Sequence, residues 1–328
     1  MKKSHNAVNR CSPATAGLLI DVYLRNQKLH VVIDKYLSKT SLTENEKYWA
    51  DRQQTELLLN QITAREALQK IQTTKWGALP EHLKQVFKLA AVGNDEQAIA
   101  VSCNLSSKVA ASALNASRGE ADYIGRKIRR VLNPQGGSNL AAAVLENAKQ
   151  RNGCNPRLHF HGVFRVSEKD FTQVKSKLEK SFAADYKEVA GNRSVVIKRI
   201  YDAGRWAGYC SKSLRKRDSG IGKAVYSTIP ASRAGEQLFK QTTQWARQLP
   251  SIEECRAKLN ELTKPDIKCN PCPELNILIN KHREQKEIVR RSRRQRHRSY
   301  VAQLIFNPDL FKRQLIDMFN AISKKISL

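Results

Sequence analysis

The chain has 328 residues with 58 Lys and Arg against 30 Asp and Glu, a formal net charge of +28. At 41% hydrophobic and 27% charged residues it can bury a core, which excludes a wholly disordered chain, and its length suits about two domains. Seven scattered cysteines, at 11, 103, 154, 210, 255, 269 and 272, exclude the small disulfide-stapled secreted class and read as reduced thiols. No run of about 18 apolar residues is present, and Met1 to Arg10 lacks the apolar segment of a secretory signal. The expectation is a soluble, intracellular protein with no membrane partner. So large an excess of positive charge asks for a polyanion, and phosphate backbones are the commonest inside cells.

Residues 13 to 36 mix apolar and polar positions and leave helix and strand both open. From Ser41 the pattern predicts a capped helix with Thr43 as N-cap and Glu46 three residues on, continued by Leu57, Leu58, Ile62, Leu68 and Ile71. Lys75 to Pro80 interrupts it, and Pro80 to Ala91 predicts a further helix. Residues 41 to 92 thus read as a helical unit that either docks on DNA, as a helix-turn-helix does, or packs the domain.

After the turn at Gly93-Asn94-Asp95, Ala98 to Cys103 reads as a buried strand. Residues 118 to 132 follow as a helix whose apolar stripe of Ile124, Ile128, Val131 and Leu132 is set against a basic outer face. Ala141 to Glu146 and Arg157 to Val166 are two strands able to pair through the loop 147 to 156. Ser167 to Ala183 is an amphipathic helix, Val195 to Ile200 a strand, and Ala203 to Leu214 a helix. The segment beyond reads as loop, with helical spacing recovered at 236 to 262 and a very basic helical stretch over 274 to 328. The order predicts an α+β domain with a central antiparallel sheet over 95–217, a helical region over 1–94 and a basic, mostly helical region over 218–328.

The most informative segment is Arg157-Leu-His-Phe-His-Gly-Val-Phe-Arg-Val166. Strand side chains alternate faces, so His159 and His161 point one way while Leu158, Phe160 and Phe164 point into the core. Two imidazoles on one face make a metal clamp. Glu146, at the end of the preceding strand, is the candidate third ligand. One carboxylate and two imidazoles form an open site that suits Mg²⁺ or Mn²⁺, with Zn²⁺ and Co²⁺ also accepted by such nitrogen ligands. Downstream, Tyr209 and Lys212 lie three residues apart and share a helix face. A tyrosine oxygen can attack a metal-polarised phosphodiester and stay attached to phosphorus, with the lysine neutralising charge.

In order and spacing these segments resemble the HUH (His-hydrophobic-His) endonuclease domain of rolling-circle replication initiators of phage or plasmid type. Ala98 to Ser106 stands in the place of the first motif, His159-Phe160-His161 of the second and Tyr209-Cys-Ser-Lys212 of the third. The resemblance implies a ferredoxin-like or RRM-like sheet, a divalent metal on His159 and His161, and attack by Tyr209 that leaves a 5′-phosphotyrosyl link and a free 3′-OH primer. It also implies origin or single-stranded DNA, host helicase and host DNA polymerase as partners, in a bacterial cytoplasm. Where many phage-type members have a second tyrosine, four residues before the first, this chain has Arg205. Closing a circle then needs Tyr209 of a second copy in a homodimer, or another nucleophile such as water; Tyr201 is an outside candidate.

Arg126, Lys127, Arg129 and Arg130 on the basic helix, and the run Arg215, Lys216 and Arg217, are the candidate DNA-phosphate contacts. Lys281 to Arg298 is a further basic stretch. Cys269 and Cys272, with Cys255 and His282, have the ligand types of a structural zinc site, and ordinary reduced thiols are the alternative. There is no Gly-x-x-x-x-Gly-Lys-Ser/Thr motif for an in-built helicase. Mobilisation relaxases and single-tyrosine transposases share the same chemistry, and a non-catalytic nucleic-acid binder on an RRM-like sheet is the reading from another class.

Overall fold

The computed structural model describes residues 11–39, 41–71, 75–132, 140–148, 157–186, 194–215 and 221–262, which fall in one compact unit. The basic stretch over 274–328, the Cys269 and Cys272 pair, and Lys216 and Arg217 lie outside the described residues.

The ambiguous first segment is one long helix, α1 (Pro13–Leu37). Its buried Ala16, Leu19, Ile20 and Tyr23 stand at the i, i+3, i+4, i+7 positions of a helical stripe. The capping box forms as read: the Thr43 hydroxyl accepts from the Glu46 N–H, and the Glu46 carboxylate accepts from the Thr43 N–H, opening α2 (Glu44–Lys70). Pro80 then precedes α3 (Glu81–Gly93).

The sheet domain follows as β1 (Ala98–Asn104), α4 (Ser107–Leu114), α5 (Glu120–Leu132), β2 (Ala141–Ala148), β3 (Arg157–Arg165), α6 (Phe171–Phe182), β4 (Val195–Arg199) and α7 (Ala203–Cys210). Helix α4 is an addition to the sequence reading; it begins where the Ser106 hydroxyl accepts from the Val109 N–H. Helix α7 ends at Cys210, before the expected Leu214, and a 3-10 turn over Lys212–Arg215 continues the chain. The segment after 217, loop-like in sequence, supplies β5 (Val225–Ser227), paired with β2. It also supplies the first turns of α8 (Ile229–Gln248), which precedes α9 (Ile252–Leu262). Pro230 and Gly235 interrupt the apolar periodicity there. Gly235 lies against the backbone of Lys88 in α3, too close for any side chain, so the residue that weakens the helical pattern is the one that lets α8 approach.

Among the described residues all strand pairs are antiparallel, in the order β4-β1-β3-β2-β5, so the chain is α+β with a five-stranded antiparallel sheet. Alternation divides its side chains between two cores. Ile99, Val101, Cys103, Leu145, Phe160 and Phe164 face α5 and α6, where Ile124, Ile128, Leu178 and Phe182 complete an apolar layer. Ala98, Ala142, Val144 and Val163 face a layer built from α1, α3, α7 and α8 around Leu19, Phe87 and Phe239. The four cysteines of the described residues, Cys11, Cys103, Cys210 and Cys255, are all buried and free of disulfides.

Helix α7 is seated on α1 through glycines. A Cβ at Gly204 would overlap the Gly17 carbonyl and the Asp21 backbone, and one at Gly17 would overlap the Gly204 carbonyl. Replacing Gly204 by Val therefore prises the two helices apart and should destabilise the protein by about 1–3 kcal/mol. Gly77→Ala, where nothing lies within 4 Å, should leave the melting temperature within error of the parent. Equal melting temperatures for Gly204→Val and the parent would contradict this account of how α7 is held.

Candidate metal centre

The antiparallel register of β2 and β3 places Glu146 directly opposite His159, and Val144 opposite His161. On the other side of β3, Ser102 of β1 is opposite His161. Directly opposed residues on one face have Cβ atoms about 4.5–5.5 Å apart, close enough for short polar side chains to converge. The carboxylate Oε2 of Glu146 lies 3.6 Å from Nε2 of His159 and 3.6 Å from Nε2 of His161. One ligand atom from each of the three residues falls within 4.8 Å of the others, so the group can hold a metal ion.

Two features of this cluster fit a cation. Glu146 Oε2 is shielded from solvent and has no hydrogen-bond partner, although three nitrogens surround it, the third being Lys212 Nζ at 3.5 Å. Ligands about 2.1 Å from a common ion stand apart by spacings of this size. The Ser102 hydroxyl bonds Nδ1 of His161 at 2.8 Å. In the tautomer that donates Nδ1–H to Ser102, the Nε2 lone pair is free to ligate, an orientation by an outer partner that is usual for metal-binding imidazoles.

Neighbouring groups outweigh burial at Glu146, and burial outweighs them at His161. The imidazoles of His159 and His161, with Lys212 beside them, hold the Glu146 carboxyl well below the usual carboxylate range, overcoming the opposing effect of burial. Burial pushes the His161 pKa down, with Glu146 working against it, so the ring is held neutral, as a ligand must be.

Helix α7 brings the tyrosine to the same place. The Tyr209 ring lies 5.4 Å from that of His161, edge-on, and stacks on Trp206 with centroids 5.5 Å apart and planes 24° from parallel. Lys212 Nζ stands 3.7 Å from the Tyr209 ring centroid while also facing Glu146. Tyr209 is 49% exposed, so its side chain is accessible from solvent. The five residues Glu146, His159, His161, Tyr209 and Lys212, drawn from two strands, a helix and a turn, meet around one point. Ser102 and Trp206 join them; the one is signalled only by strand register, the other by its i, i+3 spacing from Tyr209.

The basic residues of α5 are not brought there. Helix α5 packs on the face of the sheet opposite the histidines, so Arg126, Lys127, Arg129 and Arg130 lie away from the cluster. Lys127 donates to the Ser181 carbonyl and stands over the Tyr123 and Phe182 rings; Arg126 pairs with Asp122. Arg215 closes the turn after Lys212. Cys255, assigned above to a candidate zinc set, is buried in α9 and its thiol donates to Gln61. Arg205 pairs with Asp202 and Asp21, and Tyr201, 96% exposed, follows the end of β4.

Comparison with protein-family models, with curated proteins and with solved structures finds no match to this chain.

The site makes a direct prediction. Titration with Mn²⁺ or Co²⁺, followed by calorimetry, should show binding that is lost in His159→Ala and His161→Ala. Ser102→Ala should weaken it by roughly 10–100-fold. Undiminished binding in both histidine variants would place the metal elsewhere.

Proposed function

We propose that the chain is a metal-dependent endonuclease of the HUH type that nicks one DNA strand and remains joined to it through Tyr209, in the manner of a rolling-circle replication initiator. The observation that carries this reading is the convergence of Tyr209, Lys212 and the carboxylate and imidazoles of Glu146, His159 and His161 around one half-open site. A phenol beside a metal-ligand set, with an ammonium bridging the two, suits phosphoryl transfer to tyrosine better than it suits hydrolysis by water alone.

The residues divide the work. Glu146, His159 and His161 would hold a divalent ion, with Mg²⁺ or Mn²⁺ the expected choice. When bound it supplies Lewis-acid polarisation of a phosphodiester oxygen. Tyr209 Oη forms the bond to phosphorus as the bond to the 3′ oxygen breaks. The phenol proton is lost, and the departing oxygen gains one to become the 3′-OH. Lys212 lies over the ring where negative charge grows and beside the carboxylate, so its ammonium stabilises the developing charge. Ser102 positions His161.

Two features of the fold support the reading. The strand order β4-β1-β3-β2, with α5 and α6 both on one face, is the arrangement expected of a ferredoxin-like or RRM-like core. The opposite face is covered by α1, α3, α7 and α8. A non-catalytic RRM-type binder stacks bases on an open sheet face, and here that face is covered, so this reading is disfavoured against the nuclease. Relaxases and transposases of the same chemistry remain alternatives in biological role. In the initiator role, host helicase and DNA polymerase would extend the 3′-OH, and a second copy of the chain or water would close the circle.

The test uses Mn²⁺ and single-stranded DNA from the protein's own replicon, labelled at its 3′ end. Label should migrate with the protein on a denaturing gel, while 5′-labelled DNA should yield a shorter free fragment. Tyr209→Phe should lower adduct formation by at least about 100-fold, with Mn²⁺ binding unchanged. Undiminished nicking by Tyr209→Phe would move the nucleophile to another residue.

A further inference from the structure

At the opposite edge of the sheet from β4, past strand β5, a pocket of about 580 Å³ opens between α5, α3 and the start of α8. None of its lining residues belongs to the metal cluster. Its charged lining is three cations, Lys88, Arg129 and Lys223, and two acids, Glu81 and Asp122. Both acids are already matched. Glu81 accepts from Lys88 Nζ at 2.9 Å, and Asp122 pairs with Arg118 and Arg126, which lie outside the lining. Arg129 and Lys223 are the surplus, both exposed and without an ion pair among the described residues.

The backbone holds these two cations together. Glu120, buried at the start of α5, accepts from the N–H groups of Gly222 and Lys223. The Lys223 carbonyl in turn accepts from the Ala121 N–H. Lys223 is thereby pinned to the helix that carries Arg129.

Cations gathered around one concavity repel each other unless an anion sits among them. Lys88, 9% exposed, adds a third that is largely withdrawn from water. Helix α8 begins at the same place, with Ile229 and Pro230 in the lining, so the positive end of its dipole acts in the same sense. Three cations from three segments suit an anion with several oxygens and up to two charges, which a phosphate has and a carboxylate lacks. The volume is that of a small-molecule site, and Val225 and Tyr226 offer apolar surface to whatever carries the anion.

We infer that this pocket binds a phosphate group between Arg129 and Lys223, carried by a small phosphomonoester or by a nucleic-acid strand. It is a second ligand site, separate from the metal cluster, and it does not rest on the nuclease reading.

The experiment uses the full chain in EDTA at fixed ionic strength, with inorganic phosphate titrated and followed by ³¹P NMR. A chain of net charge +28 collects anions over its whole surface, so the comparison is between neighbours on one helix. Phosphate should bind saturably, and Arg129→Gln and Lys223→Gln should each lower its affinity by roughly tenfold. Arg130→Gln removes an exposed cation that lies outside the lining and should leave affinity within about twofold. Displacement of the phosphate by adenosine monophosphate but not by a short DNA duplex without terminal phosphates would identify a small phosphomonoester; displacement by the duplex would identify a nucleic-acid phosphate. Binding that does not saturate, or equal losses in Arg129→Gln and Arg130→Gln, would overturn the inference. Neither metal nor cleavage enters this readout, so its failure leaves the nuclease reading standing, and a failed adduct test leaves the pocket standing.

Discussion

A carboxylate withdrawn from water has to be matched by positive charge or by donors, and in this protein the carboxylate is that of Glu146. Two imidazole nitrogens stand 3.6 Å from its Oε2 and a lysine nitrogen 3.5 Å away. None is close enough to be a good hydrogen bond, yet together they keep the group ionised against burial. That balance depends on β2 and β3 holding one register. A slip of a single residue would turn Glu146 toward the α5 and α6 layer and put Leu145 among the histidines. The apolar residues on the far side of the same strands, Leu145, Leu158 and Phe160, are all fully or almost fully buried. The core thus fixes the register that the site needs.

The sheet's two faces share the labour unequally. One is closed by α5 and α6 into an apolar layer. The other is apolar around α3 and α8 but opens at one end, where α7 stands over the histidines. Helix α7 reaches that place because glycines let it lie directly on α1. The N-terminal helices therefore matter to the candidate site although none of their residues enters it: they hold the helix that holds Tyr209.

How much of this the sequence reveals varies with the range of the interaction involved. His159 and His161 follow from strand alternation, Glu146 from a hairpin joining two apolar segments, and the pairing of Tyr209 with Lys212 from spacing within a few residues. The capping box at Thr43 and Glu46 is equally local. Helix α1 is harder to read because it is packed on several sides, against α2, α3, α7 and α8, so its apolar residues spread beyond one stripe. Strand β5 has only three residues, Val225-Tyr-Ser227, too few for alternation to show. The basic residues of α5 lie near the site in sequence and across the sheet from it in space, since the helix connecting β1 to β2 packs on the opposite face. The contact of Trp206 and Tyr209 with the His161 ring is created only by the meeting of β3 and α7, which no local pattern encodes.

The central claim is that Tyr209 is the atom donor to phosphorus at a centre formed by Glu146, His159 and His161. The most direct test is to digest the DNA from the Mn²⁺-dependent adduct and locate the residual nucleotide by tandem mass spectrometry of the tryptic peptides. The account predicts a phosphotyrosyl nucleotide on Tyr209 and no modification when His161 is replaced by alanine. A nucleotide on any other residue, Tyr201 included, would contradict it.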